Sequence, residues 1–367
     1  MEKRLTNHNF FILDSMDDWV RIISPDGKVI FENQRMKDDT KNVKFLENLV
    51  NNYDPKNEIE QTSHIMKNTT IVEEKLIDGK YYSIKTSPVY FDDEFLGIVE
   101  VYRDITSESK MKIDLFNANR DMLDDIRFVK KIQNNILPKN KSYGKIRLEG
   151  KYVPSNDLSG DMFDIIKIND NKYAFYMADV MGHGVKASMM TMFVKVSLSA
   201  IFERHPFYSP KQALLKIRQK FVDLEMTSSQ YFTIWLGIFD LKNESLTFAN
   251  AGHNCPPLLK ANGKEKLQTL EVSGRMISNI IEPTDYHEVK VDFKPKDKIL
   301  FYTDGLTESQ NMNKIDYGIE RLREKFQQTS DLSSIVKDVE EYTWGEQKDD
   351  IALALIVYKE KSQREKM

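Results

Sequence analysis

The sequence predicts an α+β chain in which a small α+β unit precedes two layers of antiparallel sheet flanked by helices. Three observations lead there. Between residues 145 and 358 the strand candidates come in runs and the helix candidates in groups, the pattern of packed antiparallel layers rather than of repeating βαβ units. From 10 to 105, short strand candidates are joined by turn signals. Between the two, 106–138 holds no glycine and its first proline is Pro138, so it reads as one long helix.

In the first unit, strands at 20–23 and 28–31 flank Ser24-Pro25-Asp26-Gly27, where proline presets φ and glycine supplies the positive φ of a hairpin turn. Strands follow at 70–76, 80–86 and 96–102, with Asp78-Gly79 turning between the first two. The polar stretch 35–68 reads as helical in part. In the linker, Leu115, Met122, Val129 and Ile136 stand seven apart with Ala118 and Ile126 between them. That is a coiled-coil seam of about three heptads. It predicts a dimerising coil, or otherwise one amphipathic helix packed on its own domain.

In the larger unit, strands are predicted at 146–153, 162–168, 172–178, 231–240, 244–250, 286–293, 298–303 and 351–358. Helices are predicted at 184–204, 209–224, 318–327 and 332–344. Ser209-Pro210 opens the second helix with a side-chain cap and a proline in the first turn.

Composition limits the function. Apolar residues make up 40% and aromatics 11%, enough for real cores. The net charge of −4 is spread over 53 basic and 57 acidic residues without a basic block, so neither nucleic acid nor an anionic membrane is an expected partner. No apolar run reaches the roughly 20 residues of a membrane span. The N-terminus lacks a signal-peptide core, and the single Cys255 suits a reducing compartment. A cytoplasmic location is expected.

The chemistry lies in four acidic sites. Ala178-Asp179-Val180-Met181-Gly182-His183-Gly184 and Tyr302-Thr303-Asp304-Gly305 each put an Asp where an apolar run ends beside glycine. Gly160-Asp161, with Asp164, lies upstream, and Asp349-Asp350 precedes the final strand. One such Asp is a turn residue. Four at the strand ends of one domain predict converging carboxylates that repel each other unless cations sit among them. Hard ions such as Mg²⁺ or Mn²⁺ prefer these oxygen ligands, and the Val180 carbonyl is one more. Two ions about 3.5–4 Å apart would lower the pKa of a shared water and clamp a phosphoryl oxygen, with no Ser or Cys nucleophile required. No glycine-rich Lys-Ser/Thr loop or His-Glu-x-x-His helix offers another chemistry. His183 reads as a proton donor to the leaving oxygen or as a structural hydrogen-bonder, and His253 as a residue that fixes a loop.

Ser159-Gly160-Asp161, Asp179 to Gly184, Ala251-Gly252-His253, Tyr302 to Gly305 and Asp349-Asp350 together resemble the PP2C-type (PPM) serine/threonine phosphatases, in the bacterial RsbU/SpoIIE-like group. Ile132-Gln133-Asn134-Asn135-Ile136-Leu137-Pro138 is similar to the stretch that precedes that catalytic domain. The resemblance spans about 220 residues. It implies an αββα sandwich with two Mn²⁺ or Mg²⁺ ions, and Asp161, Asp179, Asp304 and Asp349 as ligand carboxylates beside the Val180 carbonyl. Asp349 is preferred to Asp350 by motif register alone, and Asp164 would contribute through water. Ala352 stands where the family has Thr or Ser, Met276-Ile277-Ser278 lacks the usual Pro and Gly, and Lys296 replaces a common Gly.

Residues 10–105 resemble a PAS sensory domain through the Ser24–Gly27 turn, the strand with Gly97 and the exit Tyr102-Arg103-Asp104-Ile105-Thr106. Its ligand is unknown from sequence. The resemblances imply a PAS-regulated, metal-dependent phosphatase, dimeric through PAS and linker helix. Its implied substrate is a phosphorylated anti-sigma-factor antagonist of the STAS type. The alternative is a catalytically weak partner-switching scaffold.

Overall fold

The computed structural model describes residues 10–40, 70–77, 79–92, 94–155, 158–225, 230–280, 285–345 and 349–360. The chain divides into two compact units, Met1–Met122 and Leu123–Met367.

The first unit contains α1 (Phe10–Asp14), β1 (Trp19–Ile23), β2 (Val29–Glu32), α2 (Gln34–Thr40), β3 (Ile71–Ile77), β4 (Lys80–Phe91) and β5 (Glu94–Asp104). Its strands form one antiparallel sheet in the order β2-β1-β5-β4-β3. Helix α2 takes up the start of the helical expectation for 35–68; the rest of that stretch lies outside the described residues. Asn33 pins the corner before α2, its Oδ1 accepting from the backbone N–H groups of Val20 and Met36, both at 3.1 Å. Ile77, Tyr82, Ile84 and Tyr102 form a small core, with Trp19 stacked on Tyr82 at 5.0 Å. Arg21 and Glu100 face each other across β1 and β5 as a buried ion pair.

Helix α3 (Thr106–Ile136) is the predicted linker helix, started by the Thr106 N–H on the Asp104 carboxylate at 2.9 Å. Residues 110–125 are exposed on every side, including Leu115 and Met122 of the seam. Packing on its own domain therefore describes only the last turns of α3, where Gln133 is buried and Ile136 joins a core.

The second unit holds β6 (Lys141–Tyr143), β7 (Ile146–Val153), β8 (Asp161–Lys167), β9 (Lys172–Val180), α4 (Val185–Arg204), α5 (Pro210–Val222), β10 (Tyr231–Asp240) and β11 (Ser245–Ala251). It continues with β12 (Leu258–Lys260), β13 (Gln268–Thr269), β14 (Ile277–Ser278), β15 (Glu288–Asp292), β16 (Lys298–Tyr302), α6 (Asp304–Thr307), α7 (Ile319–Gln328), α8 (Leu332–Thr343) and β17 (Ile351–Tyr358). One sheet runs β15-β11-β10-β9-β8 with β14 on β10, and the other β13-β12-β16-β17-β7-β6.

Strand alternation sends side chains to two faces, so each sheet feeds two cores. Phe163, Phe175, Met177 and Trp235 of the first sheet meet Phe301, Ala352, Ala354 and Ile356 of the second between the sheets. On the outer faces, Ala178 and Val180 pack under α4 and α5, and Leu300, Leu353 and Leu355 under α7 and α8. The result is the αββα layering expected.

One expectation needs correcting. Helix α4 is, by length and composition, apolar enough to cross a membrane. Here it is a core helix, with Ala187, Met190, Val194, Leu198 and Ile201 buried against the sheet and α5.

Candidate active site

The acidic residues gather at one end of the space between the sheets. Asp161 and Asp179 are direct partners in the β8–β9 register. They share the face of Phe163 and Met177, so both carboxylates point into the intersheet space. Asp179 lies inside its strand, opposite Thr233 of β10, rather than in the turn after it.

From the other sheet, Thr303 and Asp304 leave the end of β16, and Asp349 and Asp350 lead into β17. Asp304 opens the one-turn helix α6, where the sequence predicts no helix. Gly305 is required there by space, because a Cβ would overlap the Asp350 carbonyl oxygen. Gly160 is required likewise: a Cβ would stand 2.5 Å from the Val180 carbonyl oxygen and 3.0 Å from that of Gly182. Two main-chain oxygens therefore gather beside Gly160, the residue before Asp161.

Charge crowding is legible in the proton affinities. Burial raises the Asp161 carboxyl well above the usual range, and Asp179, Asp350 and Asp304 raise it further while the Thr303 hydroxyl opposes them. Burial, then Asp304, Asp349 and Asp350, push Asp179 up to about 7. Asp349 is raised mainly by burial, against which its bond from the Asp350 N–H and the nearby His183 both act.

The carboxylates differ in their ties. Asp350 is buried; its Oδ1 accepts from the Ser155 N–H at 2.7 Å and hydroxyl at 2.9 Å, and its Oδ2 from the Gly160 N–H at 3.3 Å. Asp349 is exposed as a residue although its carboxyl is partly desolvated, and one oxygen accepts from the Asp350 N–H at 2.8 Å. Asp304 accepts from the Asn254 amide at 3.2 Å. With these ties, no three Asp, Glu, His or Cys side chains among the described residues already converge as a coordination shell. The donor set is nonetheless that of hard divalent cations: carboxylates ranging from buried Asp161 to exposed Asp349, and main-chain carbonyls, all of which repel one another.

Asp164 does not join them. Three residues beyond Asp161 in an unbroken ladder, it lies on the opposite face and pairs with Lys195 of α4. His183 is exposed in the β9–α4 loop. His253 fixes its loop as expected: its N–H donates to the Asn250 side chain, which donates back to the His253 carbonyl, both at 2.9 Å. Burial lowers the imidazole to about 4, so it is neutral. Burial raises the Cys255 thiol well above its usual range, which keeps it protonated and unsuited to nucleophilic attack.

Sequence reading missed the supports. Ser155, Asn254 and Thr303 each hold a carboxylate, and Gln133 holds the backbone before Asp161. Thr303 and Gln133 lie within motifs read for other reasons, whereas Ser155 and Asn254 carry no local signal.

The sequence profile of the family described as Stage II sporulation protein E (SpoIIE) matches residues 169–359, just over half of the chain. The chain belongs to the SpoIIE family. The SpoIIE match includes Asp179, Asp304, Asp349 and Asp350, and begins after Asp161. Two relatives are from Bacillus subtilis (strain 168). Phosphoserine phosphatase RsbP is 26% identical over 188 residues, covering 50% of this chain and 45% of its own. Phosphoserine phosphatase RsbU is 24% identical over 163 residues, covering 44% and 46%. The chain thus spans under half the length of these relatives. Among solved structures, the SiaA-PP2C domain of Pseudomonas aeruginosa superposes with a TM-score of 0.57 at 21% identity, covering 66% of this chain and 98% of that one. A Bacillus subtilis SpoIIE structure with the PP2C phosphatase domain and a fragment of the regulatory domain gives 0.51 at 17%, covering 83% and 76%. At these identities the likeness establishes a PP2C fold.

Proposed function

We propose that this chain is a metal-dependent protein serine/threonine phosphatase that removes phosphate from a partner protein. The observation that carries this reading is the direct opposition of Asp161 and Asp179, with Asp304, Asp349 and Asp350 adding to the crowding. Asp161, Asp179, Asp304, Asp349 and the Val180 carbonyl would hold two Mn²⁺ or Mg²⁺ ions. When bound, such ions supply an acidified water and a clamp for phosphoryl oxygens. Asp349 is preferred to Asp350 because both oxygens of Asp350 already accept from Ser155 and Gly160. Exposed His183, near enough to Asp349 to act on its carboxyl, would protonate the leaving serine or threonine oxygen.

The names of RsbP and RsbU support phosphoserine as the substrate group. Within that reading the partner is an anti-sigma-factor antagonist of the STAS type, and the protein acts in the cytoplasm. The five-stranded antiparallel sheet of the first unit supports a PAS-type sensor. The exposed stripe of α3 supports a dimeric linker. The full set of carboxylates speaks against a scaffold without turnover.

The deciding experiment is Mn²⁺-dependent hydrolysis of p-nitrophenyl phosphate, and then of a phosphoserine protein, by the parent and by Asp304→Asn. A loss of at least about 100-fold is expected for a ligand carboxylate. Equal rates would remove the two-metal reading.

A further inference from the structure

The last turns of α3 reach the acidic site through the Gln133 side chain. Gln133 is buried on a helix whose residues 110–125 are all exposed. Its amide pairs with both backbone groups of Ser159: Nε2 donates to the Ser159 carbonyl at 2.7 Å, and Oε1 accepts the Ser159 N–H at 3.3 Å. A neighbouring strand would offer the same pairing, but here one helical side chain provides it.

Ser159 is where the site is held. Its hydroxyl accepts from the Asp161 N–H at 2.9 Å, and its carbonyl accepts from Ser188 of α4 at 3.4 Å. The next residue, Gly160, donates to Asp350 and accepts from the Val180 N–H at 3.1 Å. Gln133 thus grips the segment that sets Asp161, the approach to the Val180 carbonyl and one tie of Asp350.

We infer that Gln133 is a positioning residue for the carboxylate site, and that its hold on Ser159 raises the site's affinity for divalent metal. The inference rests on the metal-dependent reading above. Its physical basis is the pairing itself: removing the Gln133 amide takes from buried Ser159 the acceptor of its N–H and one of two donors to its carbonyl. Buried N–H and C=O groups do not stay unpaired, so the Ser159–Asp161 segment must then rearrange. The carboxylate pair would follow. Gln133 thereby acts on the site without touching a metal or a substrate.

The test uses the full chain with Gln133→Met, which keeps length and helix propensity and removes both hydrogen bonds. Exposed Asn134→Ala is the control. Amide exchange is measured on the chelator-treated protein over residues 158–162, and Mn²⁺ affinity by calorimetry at 20 °C. We expect faster exchange in that segment and Mn²⁺ binding weakened about 10- to 100-fold, the usual cost of losing an outer-shell support, with Asn134→Ala like the parent. A purely structural Gln133 would lower the melting temperature and leave the affinity at 20 °C alone. Unchanged exchange, or Mn²⁺ affinity within twofold of the parent, overturns the inference. If the parent binds no Mn²⁺, the metal reading falls, and exchange alone decides whether Gln133 holds the segment. If Gln133→Met does not fold, Gln133→Asn, which draws the amide back by one methylene, carries the same expectation. If neither folds, the role is structural and the inference is wrong.

Discussion

Asp161 and Asp179 stand directly opposite one another in the β8–β9 ladder, both facing the space between the sheets. Directly opposed like charges weaken a sheet, and these two are also desolvated. A fold that keeps them together is less stable without a counter-ion than it could be. That cost has a measurable sign.

In the metal-free protein, Asp179 is raised to about 7 against about 3.8 for an ordinary aspartate. Between those values the folded state keeps a proton that the unfolded state has released. Its stabilising contribution is therefore complete at acid pH and is lost as pH rises through the folded value, up to about 1.4 kcal/mol per unit. Buried neutral His253 works the other way, losing stability as pH falls below its unfolded value. The readout is therefore a difference between proteins. Chelator-treated parent should lose melting temperature from pH 5 to 8 more steeply than Asp179→Asn, and saturating Mn²⁺ should reverse the parent's loss above pH 7. Parallel profiles for the two proteins would refute the account.

Asp164 separates position in sequence from position in space. It lies three residues from Asp161, yet it faces α4 and pairs with Lys195. Burial raises its carboxyl, and Lys195 holds it down in part. Lys195→Met should cost about 2 kcal/mol, below the usual toll for breaking a buried pair because Lys195 is 24% exposed. Without Lys195 the Asp164 carboxyl rises further, so the deficit should shrink as pH falls and the group protonates. Urea unfolding at pH 5 and pH 8 measures this. Asp164→Asn should bind Mn²⁺ within twofold of the parent; a tenfold loss would return Asp164 to the ligand set.

How much was legible follows from the range of each signal. Strands β7, β10 and β17 have the bounds that their apolar patterns predict, because eight or more residues of pattern leave little choice. Strands β6, β12, β13 and β14, of two or three residues, exist through pairing with neighbours and have no period to read. Asp161, Asp179, Asp304 and Asp349 could be read as a set because each sits in a short motif. The face on which Asp164 falls needed the register to be known, and so did the staple from Ser155 to Asp350, 195 residues away. Gln133 lay in view within a motif, but its partner Ser159 is 26 residues on and could not be inferred from spacing.

Lys296 gives a case where a departure in sequence has a local structural cost. The resemblance to PP2C-type phosphatases implies a glycine at this position, and the φ of Lys296 is 75°, in the left-handed region. Its N–H still donates to the Tyr358 carbonyl at 2.7 Å, so the turn forms despite the side chain. Lys296→Gly relieves a left-handed cost of roughly 1–2 kcal/mol and loses part of it to the freer unfolded chain, for a net gain of about 0.5–1 kcal/mol. That is about 1–4 °C in melting temperature for a domain of this size. A lower melting temperature would show that the Lys296–Glu360 pair outweighs the backbone term.

The exposed face of α3 yields the last prediction. Leu115 and Met122 are 63% and 62% exposed, and Met111 at 68% extends the same stripe one turn toward the N-terminus. A helix of 31 residues with such a stripe gains by burying it against a second copy, whereas alone it leaves the stripe in water. Leu115→Asp combined with Met122→Asp places two like charges on each helix of the seam. Light scattering at micromolar concentration should show a dimer for the parent and a monomer for the double variant. Because both positions lie outside the cores of the second unit, its thermal transition should remain where it is in the parent. A parent that is monomeric, or a double variant that remains dimeric, would show that α3 is not the dimer seam.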